Sequence, residues 1–270
     1  MTTPPAAAPD AFELTAPASW RSVDFIADLH LQATEPAVAH AWQHYLLATP
    51  ADAVFILGDL FEVWVGDDAA SQPESFEAHG GEVLHAAASR TAVHFMRGNR
   101  DFLVGPAFLS HCHVHDLPDP TVLGFAGQRW LLSHGDALCL DDTAYQQFRQ
   151  LVRGPDWQAQ FLARPLAERT ELAARMREHS EEHKHADGYV LAEVDAPAAI
   201  RWLHASQAST LIHGHTHRPA DHVLDAAATP PLRRVVLSDW HAGATGLRAE
   251  VLRLHADGSL QRLSPAEASA

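Results

Sequence analysis

The stretch Val54-Phe55-Ile56-Leu57-Gly58-Asp59 decides the fold. Four consecutive apolar residues are typical of a strand that is buried on both faces of a sheet. The turn that follows such a strand is where a sheet covered on both faces exposes functional groups. The sequence therefore predicts that Asp59 lies at the carboxyl end of a central strand.

A carboxylate at the end of a buried strand needs a positive partner, because a buried unpaired charge is very costly. Other acids and histidines follow other apolar β-runs of the chain. Asp28 and His30 come directly after a predicted first strand, residues 23–27. They are two residues apart, so in extended backbone their side chains point to the same side. We therefore predict that Asp59 shares bound metal with residues of this kind.

The composition limits the class of protein. The chain has 270 residues, of which 47% are hydrophobic, enough for one sizeable core with an inserted subdomain. The formal net charge of −15 excludes a general nucleic-acid-binding protein, because such proteins neutralise phosphates with Lys and Arg. The two cysteines, Cys112 and Cys139, give neither a zinc-binding spacing nor a disulfide framework, which favours a reducing, cytoplasmic location.

Both ends of the chain are predicted to be loose, and no membrane span is predicted. Residues 1–20 are rich in Pro, Ala and Thr and are expected to form a flexible arm rather than a signal peptide. The Pro- and Ala-rich carboxyl terminus is expected to be frayed. The sequence contains no run of 18 apolar residues, so contact with a membrane is expected to be peripheral.

Three further predicted β-segments also end in polar side chains. In chain order, these are Asn99 and Arg100 after strand 92–96, His134 after a hairpin of residues 122–125 and 129–132, and His215 and His217 after strand 210–212. Helices are predicted between the first strands, over residues 35–48 and 74–89. The alternation of strands and helices predicts an α/β layered fold.

The character of the sequence changes from Asp142 to about residue 207. Aromatic and leucine residues recur there at helical spacing, between Arg and Glu, and strand signals disappear. We predict a helical cap, residues 142–207, inserted into a core of residues 21–141 and 208–262.

The strand-end side chains form one set of candidate metal ligands. They are Asp28, His30, Asp59, Asn99, His134, His215 and His217. Carboxylate, amide oxygen and imidazole together suit two borderline-to-hard divalent ions, Mn²⁺ foremost, with Fe, Co or Zn as alternatives. Seven ligands for two ions require a bridge, and Asp59 is the expected bridge because a carboxylate has two oxygens.

The motifs Asp-x-His, Gly-Asp, Gly-Asn, His and Gly-His-Thr-His, in this order, resemble the calcineurin-like metallophosphoesterase family. The resemblance spans about residues 24–254 and implies a four-layer αββα sandwich, a pair of stacked sheets flanked by helices. It also implies a ligand set for each ion. One set would be Asp28, His30, Asp59 and His217, and the other Asp59, Asn99, His134 and His215.

Arg100 narrows the resemblance to one branch of that family. Most members have a histidine directly after the motif asparagine, where this chain has Arg100. This chain resembles the branch that hydrolyses UDP-2,3-diacylglucosamine in lipid A biosynthesis. The resemblance implies that water attacks the α-phosphorus and releases UMP and 2,3-diacylglucosamine 1-phosphate. A phosphate monoester leaves without protonation, since its second pKa is about 6, so a fixed guanidinium can replace a general acid. Arg100, Asn99 and His215 are then the expected catalytic residues.

The resemblance also implies residues that bind the substrate. They are Asn99, Arg100, Asp142, Arg177, Ser180 and His215. Related sequences have a lysine slightly beyond the serine, where this chain has Asp187, and the nearest cation is Lys184. We expect Lys184 to take that role. The apolar residues of the cap would form either a groove for the two acyl chains or the core of the cap itself.

The expected protein is a monomer that works in the cytoplasm, peripherally on the cytoplasmic face of the inner membrane, without nucleic acid. Two alternatives remain open. One is a calcineurin-like phosphodiesterase that acts on nucleotides. The other is a metal-free scaffold protein, which the retention of all candidate ligands disfavours.

Overall fold

The computed structural model of the chain describes residues 9–185, 193–244 and 246–270, with the side chains of 178–185 outside that description. In chain order, the strands are Phe12–Thr15 (β1), Ser22–Ile26 (β2), Ala53–Leu57 (β3), Ala92–Met96 (β4), His115–Asp116 (β5), Thr121–Phe125 (β6), Gln128–Ser133 (β7), Thr210–His213 (β8), Ala220–Asp225 (β9), Leu232–Val236 (β10), His241–Gly243 (β11), Gly246–Arg248 (β12), Val251–His255 (β13) and Leu260–Leu263 (β14). The helices are Pro36–Ala48 (α1), Phe76–Ala88 (α2), Pro106–His111 (α3), Thr143–Val152 (α4), Pro155–Leu162 (α5), Leu166–His185 (α6), Ala196–Ser206 (α7) and Pro265–Ala268 (α8).

Two six-stranded sheets form the centre of the fold. One has the order β1-β6-β7-β8-β10-β9 and the other β14-β13-β2-β3-β4-β5. Strands β2, β3 and β4 are parallel neighbours, and so are β7 and β8. The carboxyl ends of parallel neighbours meet at one edge of a sheet, and the motif residues follow these strands.

Three hydrophobic clusters divide the molecule into four layers. One cluster lies between the sheets, with Phe55 and Leu132 among its members. A second lies between the outer face of the β3 sheet and helices α1 to α3. The third lies between the β7 sheet and α7. The predicted αββα sandwich is therefore confirmed.

Strand β3 shows how the opening stretch of sequence produces this layering. Successive side chains of a strand point to opposite faces of the sheet. Phe55 and Leu57 join the cluster between the sheets, whereas Val54 and Ile56 join the cluster under the helices. Both faces are covered, so every residue of the strand is buried. A central strand in this fold must therefore be apolar at consecutive positions.

The predicted flexible arm of residues 1–20 differs from the structure at β1, Phe12–Thr15. This strand pairs in parallel with β6 at the edge of the sheet. Its side chains are mostly exposed, so its sequence lacks the apolar alternation that signals a half-buried strand. Backbone pairing holds it, supported by the ion pair between Glu13 and Arg129.

The predicted cap, residues 142–207, extends too far, because α7 packs on the core. Ala198, Trp202 and Leu203 lie in the same cluster as Val122 and Leu211 of the β7 sheet. Helix α7 is the fourth layer of the sandwich. Helical spacing in a sequence does not say which layer a helix covers, so the boundary was not readable from the pattern. The helices that remain for a cap are α4, α5 and α6.

The carboxyl terminus is ordered, in contrast to the predicted frayed end. Helix α8 begins with a capping box of Ser264 and Glu267, and Ala268 is buried. The guanidinium of Arg253 donates a hydrogen bond of 2.8 Å to the carbonyl of Ala268. The same guanidinium donates two bonds, of 2.7 and 2.9 Å, to the buried carboxylate of Asp24.

Replacing Asp24 by alanine is expected to destabilise the protein by about 3–5 kcal/mol, because it leaves the charge of Arg253 buried and unpaired. The melting temperature should fall by roughly 6 °C or more. The control is Glu13→Ala, which breaks an exposed ion pair with Arg129 and should cost less than about 1 kcal/mol. Equal melting temperatures of the two variants would contradict a stabilising role of the Asp24 pair.

None of the helices in the described residues is both long enough and apolar enough to span a membrane.

Candidate metal centre

The five motif loops meet at the carboxyl ends of the central strands. Asp28 and His30 follow β2, and Asp59 follows β3. The structure places Asn99 after β4, His134 after β7, and His215 and His217 after β8. The seven candidate ligands therefore form one cluster, although they are separated by up to 189 residues of sequence (217 − 28).

Asp28, His30 and His217 form the first group that could hold a metal ion. The Nε2 atoms of His30 and His217 are 3.2 Å apart. His217 Nε2 lies 3.6 Å from Oδ1 of Asp28. This Oδ1 is buried and accepts no hydrogen bond from a described residue, so it is available as a ligand.

Asn99, His134 and His215 form the other side of the cluster. Oδ1 of Asn99 lies 2.9 Å from Nε2 of His134 and 2.8 Å from Nδ1 of His215. Asp28, Asp59 and His134 also have ligand atoms within 4.8 Å of one another. The two sides of the cluster therefore share the aspartates.

Asp59 lies between the two sides. Its Oδ2 is 4.0 Å from Nε2 of His30 and 3.8 Å from Nε2 of His134. Its other oxygen accepts a hydrogen bond of 2.8 Å from the backbone N–H of Arg100. One oxygen of Asp59 is thus held by the protein, and the other faces both groups of candidate ligands.

These distances fit divalent metal ions. Ligand atoms bind such ions at about 2.0–2.2 Å, so two ligands of one ion lie no more than roughly 4.4 Å apart. The contacts described above range from 2.8 to 4.0 Å. Imidazole, carboxylate and amide oxygen are also the ligand types that suit such ions.

The charges of the cluster are consistent with a cation at its centre. Although burial opposes it, the carboxylates of Asp59, Asp136 and Asp28 raise the pKa of His134 to about 9. Burial and the neighbouring His134 lower the pKa of His215 to about 4. The carboxylates thus create a site that attracts positive charge, and a bound cation would take the place of the proton on His134.

The backbone at the cluster is strained. Five of the candidate ligands have a positive φ, a region that non-glycine residues rarely occupy: Asp28, His30, Asp59, His215 and His217. Each such residue costs of order 1–3 kcal/mol, and strain of this kind concentrates at functional sites. Contacts in the surrounding structure must offset this cost at the positions of these five candidate ligands.

Two motif positions must be glycine, because the loops that carry the candidate ligands approach one another closely there. A Cβ on Gly98 would collide with the carboxylate and backbone of Asp59, and a Cβ on Gly58 would collide with His134. Gly58 also has φ +92, which side chains rarely adopt. The glycines before Asp59 and Asn99 therefore let the ligand loops pack against one another.

Asp101 is a functional candidate that sequence reasoning missed. It is fully buried and accepts hydrogen bonds of 2.7 Å from the backbone N–H groups of Gly98 and Leu60, which ties the Asn99 loop to the Asp59 loop. Burial and the charge of Asp59 raise its pKa to about 7. Its place directly after Asn99 and Arg100 was the only signal in the sequence.

Asp136 joins helix α4 to the metal loops. Its buried carboxylate accepts hydrogen bonds of 2.7 Å from the Arg149 guanidinium and the Tyr145 hydroxyl. Arg153 contacts the same carboxylate and donates a hydrogen bond of 2.9 Å to the carbonyl of Gly98. The ring of Tyr145 stacks on His215, with centroids 5.8 Å apart. Despite burial, Arg153 and Arg149 keep the pKa of Asp136 well below its ordinary range.

Glu62 is the second residue whose role the sequence did not reveal. One oxygen lies 2.7 Å from Nδ1 of His30, and the other lies 3.1 Å from Arg177 and 3.8 Å from Arg100. Burial opposes ionisation, but contact with His30 and the two guanidinium charges keep the pKa of Glu62 below its ordinary value. Two predicted substrate-binding arginines are therefore drawn together beside a candidate ligand.

Of the other residues considered for substrate binding, the structure describes the side chain of Asp142 but not those of Ser180 and Lys184. The side chain of Asp142 caps helix α4 by accepting a hydrogen bond of 2.9 Å from the N–H of Tyr145. Its predicted contact with substrate stays a prediction. The side chains of Ser180 and Lys184, and Asp187 as a whole, lie outside the described residues.

Comparisons with known proteins show which family the chain belongs to. The family model for the calcineurin-like phosphoesterases matches residues 21–219. A UDP-2,3-diacylglucosamine hydrolase of Chromobacterium violaceum is 45% identical over 228 residues, which cover 83% of this chain and 93% of that protein. The enzyme of the same name from Xanthomonas campestris pv. campestris is 43% identical over 256 residues, which cover 89% of this chain and 98% of that protein. The chain therefore belongs to the calcineurin-like phosphoesterase family, as the order of its motifs indicated.

Proposed function

We propose that the protein hydrolyses the pyrophosphate bond of UDP-2,3-diacylglucosamine and releases UMP and 2,3-diacylglucosamine 1-phosphate, a step of lipid A biosynthesis. The observation that carries this proposal is the joining of Arg100 and Arg177 by Glu62 directly beside His30. Two guanidinium groups beside a candidate metal group suit a pyrophosphate, because they can bind the phosphate that leaves while the metal group holds the phosphate that is attacked. The names of relatives that are 43–45% identical support the same substrate.

The site is proposed to hold two divalent ions, with Mn²⁺ foremost. Asp28, His30, Asp59 and His217 would hold one ion. Asp59, Asn99, His134 and His215 would hold the other, with Asp59 as the bridge. When bound, such ions supply Lewis acidity at the phosphorus and lower the pKa of a water molecule to about 7.

The residues of the chain would then position the substrate for attack by water on the α-phosphorus. Asn99 and His215 contact one another and would fix the phosphate that is attacked. Arg100 would stabilise the charge that develops on the leaving phosphate, which departs without a proton. Arg177, with Asp142, Ser180 and Lys184, would hold the glucosamine 1-phosphate part.

Part of the cap offers apolar surface for acyl chains. Phe148, Leu151 and Leu162 of α4 and α5 are 40%, 59% and 42% exposed, although they are large and hydrophobic. Phe161 and Val152, in contrast, are buried and serve as core. The exposed set is therefore the proposed contact with the lipid chains.

The proposed setting is a monomer at the cytoplasmic face of the inner membrane. A diacylated substrate resides in a bilayer, so an enzyme that acts on it must reach the membrane surface. The exposed apolar residues of α4 and α5 support a peripheral contact of this kind.

The proposal is tested by incubating the purified protein with UDP-2,3-diacylglucosamine and Mn²⁺. We expect UMP and the lipid phosphate in equal amounts, loss of activity with a chelator, and recovery on return of Mn²⁺. UDP-glucosamine without acyl chains should be a much poorer substrate, since each buried CH₂ contributes about 0.8 kcal/mol.

A cyclic nucleotide serves as the rival substrate in the same assay. Turnover of the cyclic nucleotide at the rate of the lipid would favour a nucleotide phosphodiesterase instead. Absence of both activities, with no bound metal, would favour a scaffold protein.

A further inference from the structure

Glu62 contacts three functional groups that come from three different parts of the chain. His30 belongs to the loop after β2, Arg100 to the loop after β4, and Arg177 to helix α6. One carboxylate oxygen faces His30 and the other faces both arginines. Glu62 is only 7% exposed, so its carboxylate is sheltered from water, whereas the side chain of Arg177 is 42% exposed.

The backbone around Glu62 is fixed by the same loops. The N–H of Glu62 donates a hydrogen bond of 3.1 Å to the carbonyl of Leu31, which is next to His30 in the chain. The N–H of Trp64 donates 3.2 Å to the carbonyl of Arg100. The position of the carboxylate is therefore set by the two loops whose side chains it contacts.

Glu62 itself is outside both groups of described residues that could hold a metal ion. A carboxylate behind a ligating histidine orients the imidazole, fixes its tautomer and raises its basicity. A carboxylate between two guanidinium groups keeps them at a fixed separation, which a single pair could not do. Both effects come from the same side chain.

We propose that Glu62 is a positioning residue that couples helix α6 to the metal centre. It aligns His30 for the ion of the first group and holds Arg100 and Arg177 together for the phosphate that leaves. The coupling to substrate rests on the proposed function, whereas the alignment of His30 does not.

A second contact between the same loop and the same helix provides a matched control. Arg169 of α6 pairs with Asp68 and donates a hydrogen bond to the carbonyl of Val65. Asp68 is therefore a carboxylate that contacts α6 from the segment after β3 but touches no candidate ligand. A residue that only fastened the helix would behave like Asp68.

The first test compares Mn²⁺ affinity of the wild type, Glu62→Gln and Asp68→Asn by titration without substrate. We expect a loss of about tenfold or more for Glu62→Gln, as is typical when the partner of a ligating histidine is changed. Asp68→Asn should keep the affinity of the wild type. Folding of each variant is checked by its melting temperature in the metal-free form.

The second test is a double-mutant cycle of Glu62→Gln and Arg177→Ala at saturating Mn²⁺. If Glu62 positions Arg177, then Arg177→Ala should lower kcat/KM less in the Glu62→Gln variant than in the wild type. The loss of kcat/KM in the double variant should fall short of the product of the single losses by about threefold or more. In the same cycle with Asp68→Asn in place of Glu62→Gln, the loss of kcat/KM in the double variant should equal the product of the single losses.

An unchanged Mn²⁺ affinity of Glu62→Gln would overturn the proposal, and so would losses that multiply in the cycle. Failure of the wild type to cleave UDP-2,3-diacylglucosamine would instead refute the proposed substrate. In that event the Mn²⁺ titration still tests Glu62.

Discussion

Replacing Asp59 by asparagine is expected to lower turnover by about 10³-fold or more and to reduce bound metal below two ions per chain. The free Oδ2 of Asp59 is the atom that faces both His30 and His134, at 4.0 and 3.8 Å. Losing its charge weakens both proposed sites, and a metal ion contributes several kcal/mol to the stabilisation of a transition state. The measurements are kcat and metal content by elemental analysis.

The fold should survive this substitution. Asparagine can still accept the hydrogen bond from the N–H of Arg100, which Asp59 accepts at 2.8 Å. Removing the charge also relieves repulsion with the buried Asp101, whose pKa is raised to about 7 by burial and by Asp59. The attraction between Asp59 and His134 is lost at the same time, so the metal-free variant should melt near the temperature of the metal-free wild type.

Asp52→Asn is the matched control, because Asp52 lies at the opposite end of the same strand. Its carboxylate accepts hydrogen bonds from the backbone N–H groups of Arg21 and Ser22 and is remote from the candidate ligands. Its activity and metal content should equal those of the wild type. Two bound ions and a near-normal rate in Asp59→Asn would contradict the bridging role.

Replacing Arg100 by alanine is expected to lower kcat by about 10² or more. Removal of one preorganised group that stabilises developing charge typically has an effect of this size. The guanidinium of Arg100 is mostly buried, lies 3.8 Å from Glu62 and follows Asn99 directly, so it is held close to the candidate ligands. Steady-state kinetics with UDP-2,3-diacylglucosamine measure kcat and KM separately.

Arg97→Ala is the control for this experiment. Arg97 precedes the same glycine turn, but its guanidinium contacts Asp116 at 2.6 Å and the carbonyl of Val104 instead of the cluster. Its kcat should stay near that of the wild type. A rise of KM in Arg100→Ala with unchanged kcat would show that Arg100 only binds the substrate.

The sequence predicted the elements that deliver the motifs, because these elements carry strong local signals. Strand β3 is a continuous apolar run, and β4 begins and ends where its run predicts. Helix α1 begins at Pro36, which the fixed backbone angle of proline favours at a first-turn position. Buried central strands and helices that begin at a proline are determined by residues that are close in the sequence.

The elements that the sequence did not predict depend on distant contacts. Strand β1 has mostly exposed side chains, and its register comes from pairing with β6. Helix α8 is held by Arg253, whose guanidinium contacts both Asp24 and the carbonyl of Ala268. The pairing of Phe12 with Thr121 joins residues 109 positions apart (121 − 12), and the contact of Arg253 with Asp24 joins residues 229 positions apart, so neither leaves a local pattern.

The same limit applies to the site. The candidate ligands could be selected because each follows an apolar β-run. Glu62 and Asp101 could not, since their importance lies in what they contact: His30, Arg100 and Arg177 for Glu62, and two backbone loops for Asp101. Supporting carboxylates of this kind are visible only when the loops are assembled.

Hydrolysis of UDP-2,3-diacylglucosamine in water enriched with ¹⁸O tests the central proposal most directly. Attack of water on the α-phosphorus places the label in UMP, which mass spectrometry of both products detects. We predict one labelled oxygen in each UMP molecule formed and none in the 2,3-diacylglucosamine 1-phosphate. Label in the lipid phosphate, or no release of UMP in the presence of Mn²⁺, would contradict it.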